Sequence, residues 1–146
     1  MGCDIHAHLE VKISGTWHHA SMPRIKRHYI LFAKMANVRN CDKNNSNYIE
    51  PIDEPRGLPD DATFLTKFAS EYMGKDGHSH SYLTSDELGE LIKWYDIKCS
   101  VPDKFISFEY ESLGYLFGNG WTGFKQYPND FPKQLEDTRI IFWFDN

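Results

Sequence analysis

Apolar and polar residues alternate over positions 3–13, near the start of the chain. One alternate set is apolar and consists of Cys3, Ile5, Ala7, Leu9, Val11 and Ile13. The other set is polar and consists of Asp4, His6, His8, Glu10 and Lys12. A period of two is typical of a β-strand that buries one face. The pattern therefore predicts an N-terminal strand whose apolar set faces the core and whose polar set faces away from it.

A hairpin and a C-terminal strand are expected to complete a sheet around this first strand. The pair Ser14-Gly15 indicates a tight turn, after which residues 16–20 can return as a second strand that ends before Pro23. The run RIIFWF at 139–144 is apolar on both faces, which is typical of a central strand. We expect this last strand to pair with the first.

Helical patterns fill the region between the hairpin and the last strand. The run HYILFAKMANV at 28–38 is apolar on most sides, which predicts a buried helix. A second helix is predicted after Asp60 or Asp61, either of which can cap it. Its aromatic residues recur every four positions and are expected to face the core: Phe64, Phe68 and Tyr72.

A capping box predicts the start of a third helix. Thr84 and Glu87 form the box, and the apolar stripe that follows is Leu88, Leu91, Ile92 and Tyr95. Residues 39–60 and 74–81 are predicted loops. Residues 100–136 have a weak helical pattern, at Phe105, Phe108, Leu113 and Leu116, and turn sequences at 118–120 and 128–130. The order of elements predicts one α+β domain over 1–146, with a small, mostly antiparallel sheet and about three to four helices.

Composition narrows the class of protein. The chain has 146 residues, 40% of them apolar and 15% aromatic, which is typical of a folded domain. Its net charge of −5 argues against general nucleic-acid binding, because that function needs a basic surface. No apolar run approaches membrane-spanning length. Three widely spaced cysteines and the absence of a signal-peptide pattern favour the cytoplasm.

The motif Asp-x-His-x-His occurs twice and suggests metal chemistry. Its first copy is Asp4, His6 and His8, and its second is Asp76, His78 and His80. Side chains two positions apart on a strand point the same way, about 6.5–7 Å apart, and His and Asp are ligands of zinc, manganese and iron. If the second motif lies on a loop that folds over the first strand, the two copies meet. Asp145 can join them if the last strand neighbours the first.

A second group of residues suggests anion binding. Arginines recur near a helix entrance and in the long loop, at Arg24, Arg27, Arg39 and Arg56, together with Lys26. Arginine forks grip phosphate, and Tyr48, Tyr82 or Trp17 can stack on a base. The competing interpretations are ordinary. A polar strand face is commonly just the solvent face of a sheet, and the arginines can pair with nearby acids such as Asp53 and Glu54.

Several runs of residues resemble a family of short, mostly phage-encoded proteins of uncharacterised role. They are MGCDIH at the start, VRN at 38–40, PRGLPDD at 55–61, HSHSYLTSDEL at 78–88 and FWFDN at the end. The resemblance spans most of the chain except residues 96–136. In the family pattern, Asp4, His6, His78 and Ser79 match, whereas His8 and His80 stand where members differ. Tryptophan is commoner at the position of Tyr82, which implies an aromatic wall.

The resemblance implies a small protein of the host-cell cytoplasm that counters host defence, by analogy with phage proteins that bind or cleave cyclic nucleotide signals. As a metal-dependent phosphodiesterase, it would use Asp4, His6, Asp76 and His78 to hold zinc, manganese or iron, while Arg39 or Arg56 stabilises the developing charge. As a binding protein without metal, it would sequester the nucleotide with Arg39, Arg56, Ser79 and Tyr82. A module that blocks a host protein is the third alternative, and a homo-oligomer is compatible with each.

Overall fold

The computed structural model describes residues 2–98 and 135–146 of the chain. They form four strands, three α-helices and one 3₁₀ turn at Gly74–Asp76. The strands are β1 (Asp4–Ile13), β2 (Thr16–Ser21), β3 (Gly77–Thr84) and β4 (Leu135–Asp145). The helices are α1 (Tyr29–Ala36), α2 (Phe64–Met73) and α3 (Ser85–Lys98). The patterns noted between residues 100 and 134 lie outside the described residues. The α+β class predicted from the sequence is confirmed.

The four strands form one antiparallel sheet in the order β2-β1-β4-β3. The predicted pairing of the last strand with the first is confirmed, with Asp4 opposite Asp145. β4 is central, as its two apolar faces indicate. Ser14 and Gly15 both have positive φ angles, 49° and 79°, which fit the tight hairpin turn between β1 and β2.

The first face of the sheet, defined as the face that packs against α1 and α3, carries the main core. Its strand residues include Ile5, Phe142 and Phe144, which are buried together with Phe32 of α1 and Leu91 of α3. The capping box at the start of α3 is confirmed. The amide of Thr84 donates to Oε1 of Glu87 at 3.0 Å, and the amide of Glu87 donates to Oγ1 of Thr84 at 3.3 Å.

The second face of the sheet is covered by α2, and the orientation predicted for this helix is wrong. The aromatic stripe lies outward: Phe64, Phe68 and Tyr72 are 78%, 56% and 85% exposed. The opposite side of the helix is turned inward, where Thr66 is fully buried. Neither Asp60 nor Asp61 caps the helix, because the N-cap position is Thr63.

A buried carboxylate explains this orientation of α2. Glu10 on β1 is completely buried, and its Oε2 accepts hydrogen bonds from the amide and hydroxyl of Thr63, at 2.9 and 2.7 Å, and from the hydroxyl of Thr66 at 2.7 Å. Its Oε1 accepts from Nε and Nη2 of Arg139, at 3.0 and 2.7 Å. A buried charge needs such partners, so the hydroxyl-bearing side of α2 faces the sheet.

The histidines of the second Asp-x-His-x-His motif do not lie on a loop, as the sequence suggested, but on strand β3, whereas Asp76 is in the 3₁₀ turn before it. Here β3 has two residues, Ser79 and His80, where β4 has only Trp143. This β-bulge places Ser79 at a φ of 55°. Residues on either side of a bulge lose the simple alternation of faces. His78 is therefore opposite Phe144 on the first face, whereas His80 stacks on Trp143 on the second.

Candidate functional site

A cleft of about 600 Å³ opens between the second face of the sheet and α2. Its floor is the stretch Ile5–His8 of β1 together with Trp143 of β4. One wall is the segment 22–26, which follows the hairpin, and the other is formed by Phe68, Ala69, Tyr72 and Met73 of α2. A cleft of this size, largely apolar with a few polar groups, is typical of small-molecule sites.

His6 of the first motif lies in this cleft and pairs with the last strand. Its Nε2 is 2.6 Å from Oδ2 of Asp145, so the expected approach of Asp145 to the first motif is confirmed. Asp4 is engaged differently. Its two carboxylate oxygens accept from Nε and Nη2 of Arg27, at 2.9 and 2.8 Å, and this exposed ion pair lowers the pKa of Asp4.

The structure does not bring the four predicted metal ligands together. His6 lies on the second face of the sheet, and His78 lies on the first, where its Nδ1 hydrogen-bonds to Oγ of Ser79 at 3.0 Å. Asp76 is exposed in the 3₁₀ turn before β3. Within residues 2–98 and 135–146, no three His, Cys, Asp or Glu side chains are grouped so that they could hold a metal ion.

Arg56, predicted to grip a phosphate, is occupied by protein groups. Its guanidinium forms a two-pronged ion pair with Glu87, donates to Oδ2 of Asp53 at 2.9 Å and donates to the carbonyl of Tyr82 at 3.0 Å. The hydrogen bond from Arg56 lowers the pKa of Glu87 to about 2. The ring of Tyr82 lies under the same guanidinium, 5.2 Å from it. Arg56 and Tyr82 therefore join the long loop to β3 and α3.

Arg39 lies apart from the cleft. Its guanidinium is 5.7 Å from the ring centre of Tyr29, and it borders a smaller pocket of about 340 Å³ with Asn40, Cys41 and Tyr48. The predicted ligand-binding residues are thus divided among three places. Ser79 is in the bulge of β3, Arg56 and Tyr82 are at the loop junction, and Arg39 is at the smaller pocket.

Replacing Arg56 by alanine is expected to lower the free energy of unfolding by about 1.5–3 kcal/mol, the range for hydrogen bonds to charged groups. The reason is that Glu87 and the carbonyl of Tyr82 would lose their partner. Arg24→Ala is the matched control, because Arg24 is exposed at the cleft and its removal should change stability by no more than about 0.5 kcal/mol. Urea denaturation measures both. Equal stability of the two variants would contradict the structural assignment of Arg56.

Trp143 is the site residue that the sequence did not single out. It is 1% exposed, and its indole Nε1 is buried without a hydrogen-bond partner among the described residues. Three histidine rings lie nearly parallel to the indole, with centroid distances of 6.2 Å for His6, 5.0 Å for His8 and 5.5 Å for His80. Trp143 lines the cleft, and a buried N–H normally has an acceptor, so its indole is the candidate hydrogen-bond donor of the floor.

His8 is a neutral member of this ring cluster. Burial, followed by the neighbouring His19, lowers its pKa to about 4. Its Nδ1 is 2.9 Å from Nε2 of His19, so one of the two nitrogens donates to the other. The pKa of His80 is also lowered, mainly by burial, and its Nε2 is 3.0 Å from Oγ of Ser70 on α2. His8 in the floor of the cleft is therefore uncharged near neutral pH, and burial likewise disfavours the charged form of the neighbouring His80.

The low pKa of His8 predicts a loss of stability in mild acid. An unfolded histidine titrates near 6.5 and the folded His8 near 4, so the unfolded chain binds more protons between these pH values. The free energy of unfolding should therefore fall as the pH decreases from 6.5 towards 4. His8→Asn should lose less stability than the parent between pH 7 and pH 5 in urea titrations, and exposed His18→Asn should behave like the parent. Identical pH dependence in all three proteins would contradict the burial of a neutral His8.

Searches against protein-family models, curated proteins and solved structures found no match. The class of protein is therefore defined by its own fold and cleft, as an α+β protein with a small-molecule-sized cleft on one face of its sheet. In the described part of the chain, no helix has the length and apolar character needed to cross a bilayer.

Proposed function

We propose that the cleft binds a small phosphate-bearing molecule with a planar ring, such as a nucleotide, and that the protein sequesters it. The observation that carries this proposal is Trp143, which lines the floor of a largely apolar cleft and whose buried Nε1 donates to no described protein atom. A nucleobase offers acceptor atoms for this N–H and a flat surface for the rings around it.

The charges around the cleft support an anionic ligand. Arg24 and Lys26 belong to the wall formed by residues 22–26, and both residues are exposed to solvent. Guanidinium groups form strong, directional hydrogen bonds to phosphate oxygens. Exposed aromatic residues, Phe68 and Tyr72, form the opposite wall and can cover an apolar ring. The arrangement suits a ligand whose ring enters the cleft and whose phosphate stays near solvent.

The resemblance to phage-encoded proteins suggests the setting of this activity. A protein that removes a nucleotide immune signal in the host cytoplasm would counter host defence by binding alone. The residues predicted to hold a metal, Asp4, His6, Asp76 and His78, do not converge, so we propose binding without a metal. The proposed site uses Arg24, Trp143 and the aromatic residues of α2, Phe68 and Tyr72, rather than Arg39 and Arg56.

A second candidate function is hydrolysis of the bound phosphodiester without a metal. His6 lines the cleft, and its contact with Asp145 fixes one ring nitrogen. A histidine held by a carboxylate in this way can accept a proton through its other nitrogen and activate a water molecule. Incubation of cyclic AMP with the protein, followed by chromatography, distinguishes the two functions. Intact nucleotide, together with binding in the titration described next, indicates sequestration, and a product that disappears with His6→Asn indicates hydrolysis.

Calorimetric titration with cyclic AMP, AMP and the matching nucleoside tests the binding function. Arg24→Ala should weaken nucleotide binding by about tenfold and leave the weaker nucleoside binding unchanged, because only the phosphate contact is lost. Trp143→Phe keeps a ring but removes the N–H, and should weaken nucleotide and nucleoside binding alike. Lys43→Ala is the control, because Lys43 is exposed in the long loop and does not line the cleft. Absence of binding by the parent, or equal binding by all variants, would refute the proposal.

A further inference from the structure

The outward face of α2 carries an apolar surface that is continuous with one wall of the cleft. Phe64, Phe68 and Tyr72 are four residues apart and stack on one another, with centroid distances of 6.0 and 6.5 Å. Leu65, the neighbour of Phe64 on the same helix, is 54% exposed and adds to this surface. Isolated exposed apolar side chains are common, but a contiguous patch of this kind marks an interaction site.

We propose that this surface, called the α2 stripe, binds the same stripe of a second copy of the chain around a twofold axis near Phe68. In an antiparallel pair of α2 helices, Phe64 of one copy faces Tyr72 of the other, and Phe68 meets its own counterpart. The stripe is thus self-complementary, as a twofold interface requires. The inference does not depend on the identity of the ligand in the cleft.

Charges beside the stripe have the same symmetry. Lys67 and Glu71 are one turn apart on its flank, and both are exposed. Nζ of Lys67 donates to the carbonyl of Asp60 at 2.8 Å, an uncharged partner that leaves its positive charge uncompensated by this contact. In the antiparallel arrangement, Lys67 of one copy lies beside Glu71 of the other, and the symmetry creates this pair twice.

The apolar area suffices for a specific dimer. At about 200 Å² of surface per aromatic residue, the exposed fractions of the three rings correspond to roughly 440 Å² in each copy. Two copies then bury roughly 900 Å² from these rings alone. Leu65 and the charged flank bring the total to about 1,000 Å², the lower bound for specific interfaces.

The dimer would also complete the cleft. Phe68 and Tyr72 belong both to the stripe and to the wall of the cleft. A second copy on the stripe therefore places its own aromatic residues beside the opening of the first copy's cleft. Ligand access and dimer formation would involve the same two side chains.

Charge reversal tests the proposed geometry. Sedimentation velocity at low ionic strength should show a concentration-dependent dimer of the full chain. Lys67→Glu or Glu71→Lys alone should raise the dimer dissociation constant by about tenfold, because each places like charges together twice. The double variant with both substitutions should restore dimer formation. Lys43→Glu, outside α2, serves as the control for net charge.

Each outcome decides the proposal. A parent protein that stays monomeric at every accessible concentration overturns it. A dimer that is insensitive to both single reversals, or is not restored by the double variant, uses another surface and also overturns it. Phe68→Ser, at the proposed axis, provides a check that does not depend on charge. It should shift the equilibrium towards monomer, while its melting temperature, measured at a concentration where the parent is also monomeric, stays close to that of the parent.

Discussion

Replacing Glu10 by alanine is expected to lower the free energy of unfolding by about 3–5 kcal/mol, the cost of breaking a buried ion pair by removing one partner. Arg139, buried beside it, would lose its buried carboxylate partner. It would keep its hydrogen bonds to Asp61, to the carboxylate at 2.8 Å and to the carbonyl at 3.1 Å, and its guanidinium would stay 3.9 Å from the ring centre of Trp17. The hydroxyls of Thr63 and Thr66 would lose their acceptor, which loosens α2 from the sheet. Urea denaturation at neutral pH measures the loss.

Glu50→Ala is the matched control for this experiment, because Glu50 is exposed in the long loop and its removal should be nearly neutral. A further signature comes from pH. Burial alone would raise the pKa of Glu10, but the hydrogen bonds from Thr63, Thr66 and Arg139 outweigh it and lower the pKa. The stabilisation is therefore present above the pKa of an unfolded glutamate and is lost as the pH falls through the folded value. A Glu10→Ala protein as stable as the parent would contradict the anchoring of α2.

Replacing Phe142 and replacing Phe64 by alanine are expected to have very different effects on the free energy of unfolding. Phe142→Ala should cost about 3–5 kcal/mol, because Phe142 is fully buried in the core between the sheet, α1 and α3. Phe64→Ala should change stability by no more than about 0.5 kcal/mol, because Phe64 is 78% exposed on α2. Thermal and chemical denaturation of the two variants side by side measure the difference. A large loss of unfolding free energy in Phe64→Ala would instead support the orientation predicted from the sequence, in which the aromatic stripe of α2 faces the core.

Local patterns predicted most of the described secondary structure because their causes are local. The alternation in β1, the turn at Ser14-Gly15 and the capping box at Thr84 each depend on neighbouring residues. The central position of β4 followed from its two apolar faces. The orientation of α2 did not follow, because helical periodicity identifies an apolar stripe without identifying what the stripe contacts. A distant carboxylate, that of Glu10, draws the hydroxyl side of α2 inward instead.

The candidate site was predicted only in part for a similar reason. The prediction that Asp145 joins the first motif if the last strand neighbours the first is confirmed at His6, because regular alternation and strand pairing suffice to bring the two side chains together. A bulge at Ser79 breaks this alternation, and it sends His78 to the opposite face of the sheet from His6. In the sequence, Trp143 is one residue of an apolar strand pattern, and nothing in its context marks an indole N–H that is buried without a partner among the described residues. The sequence suggests Arg56 as a phosphate-binding residue of the long loop, and it does not show the pairing with Glu87, because the two residues are 31 positions apart.

Mapping the ligand contacts by nuclear magnetic resonance tests directly whether a nucleotide binds in the cleft between the sheet and α2. Isotope-labelled protein is titrated with cyclic AMP while the backbone amide shifts and the indole N–H resonances are followed. If the ligand binds in the cleft, we expect shifts at residues 5–8, 22–26 and 68–73, together with a large shift of the Trp143 indole proton as it gains an acceptor. Shifts confined to the smaller pocket around Arg39 and Tyr48, or an indole proton that does not respond, would contradict it.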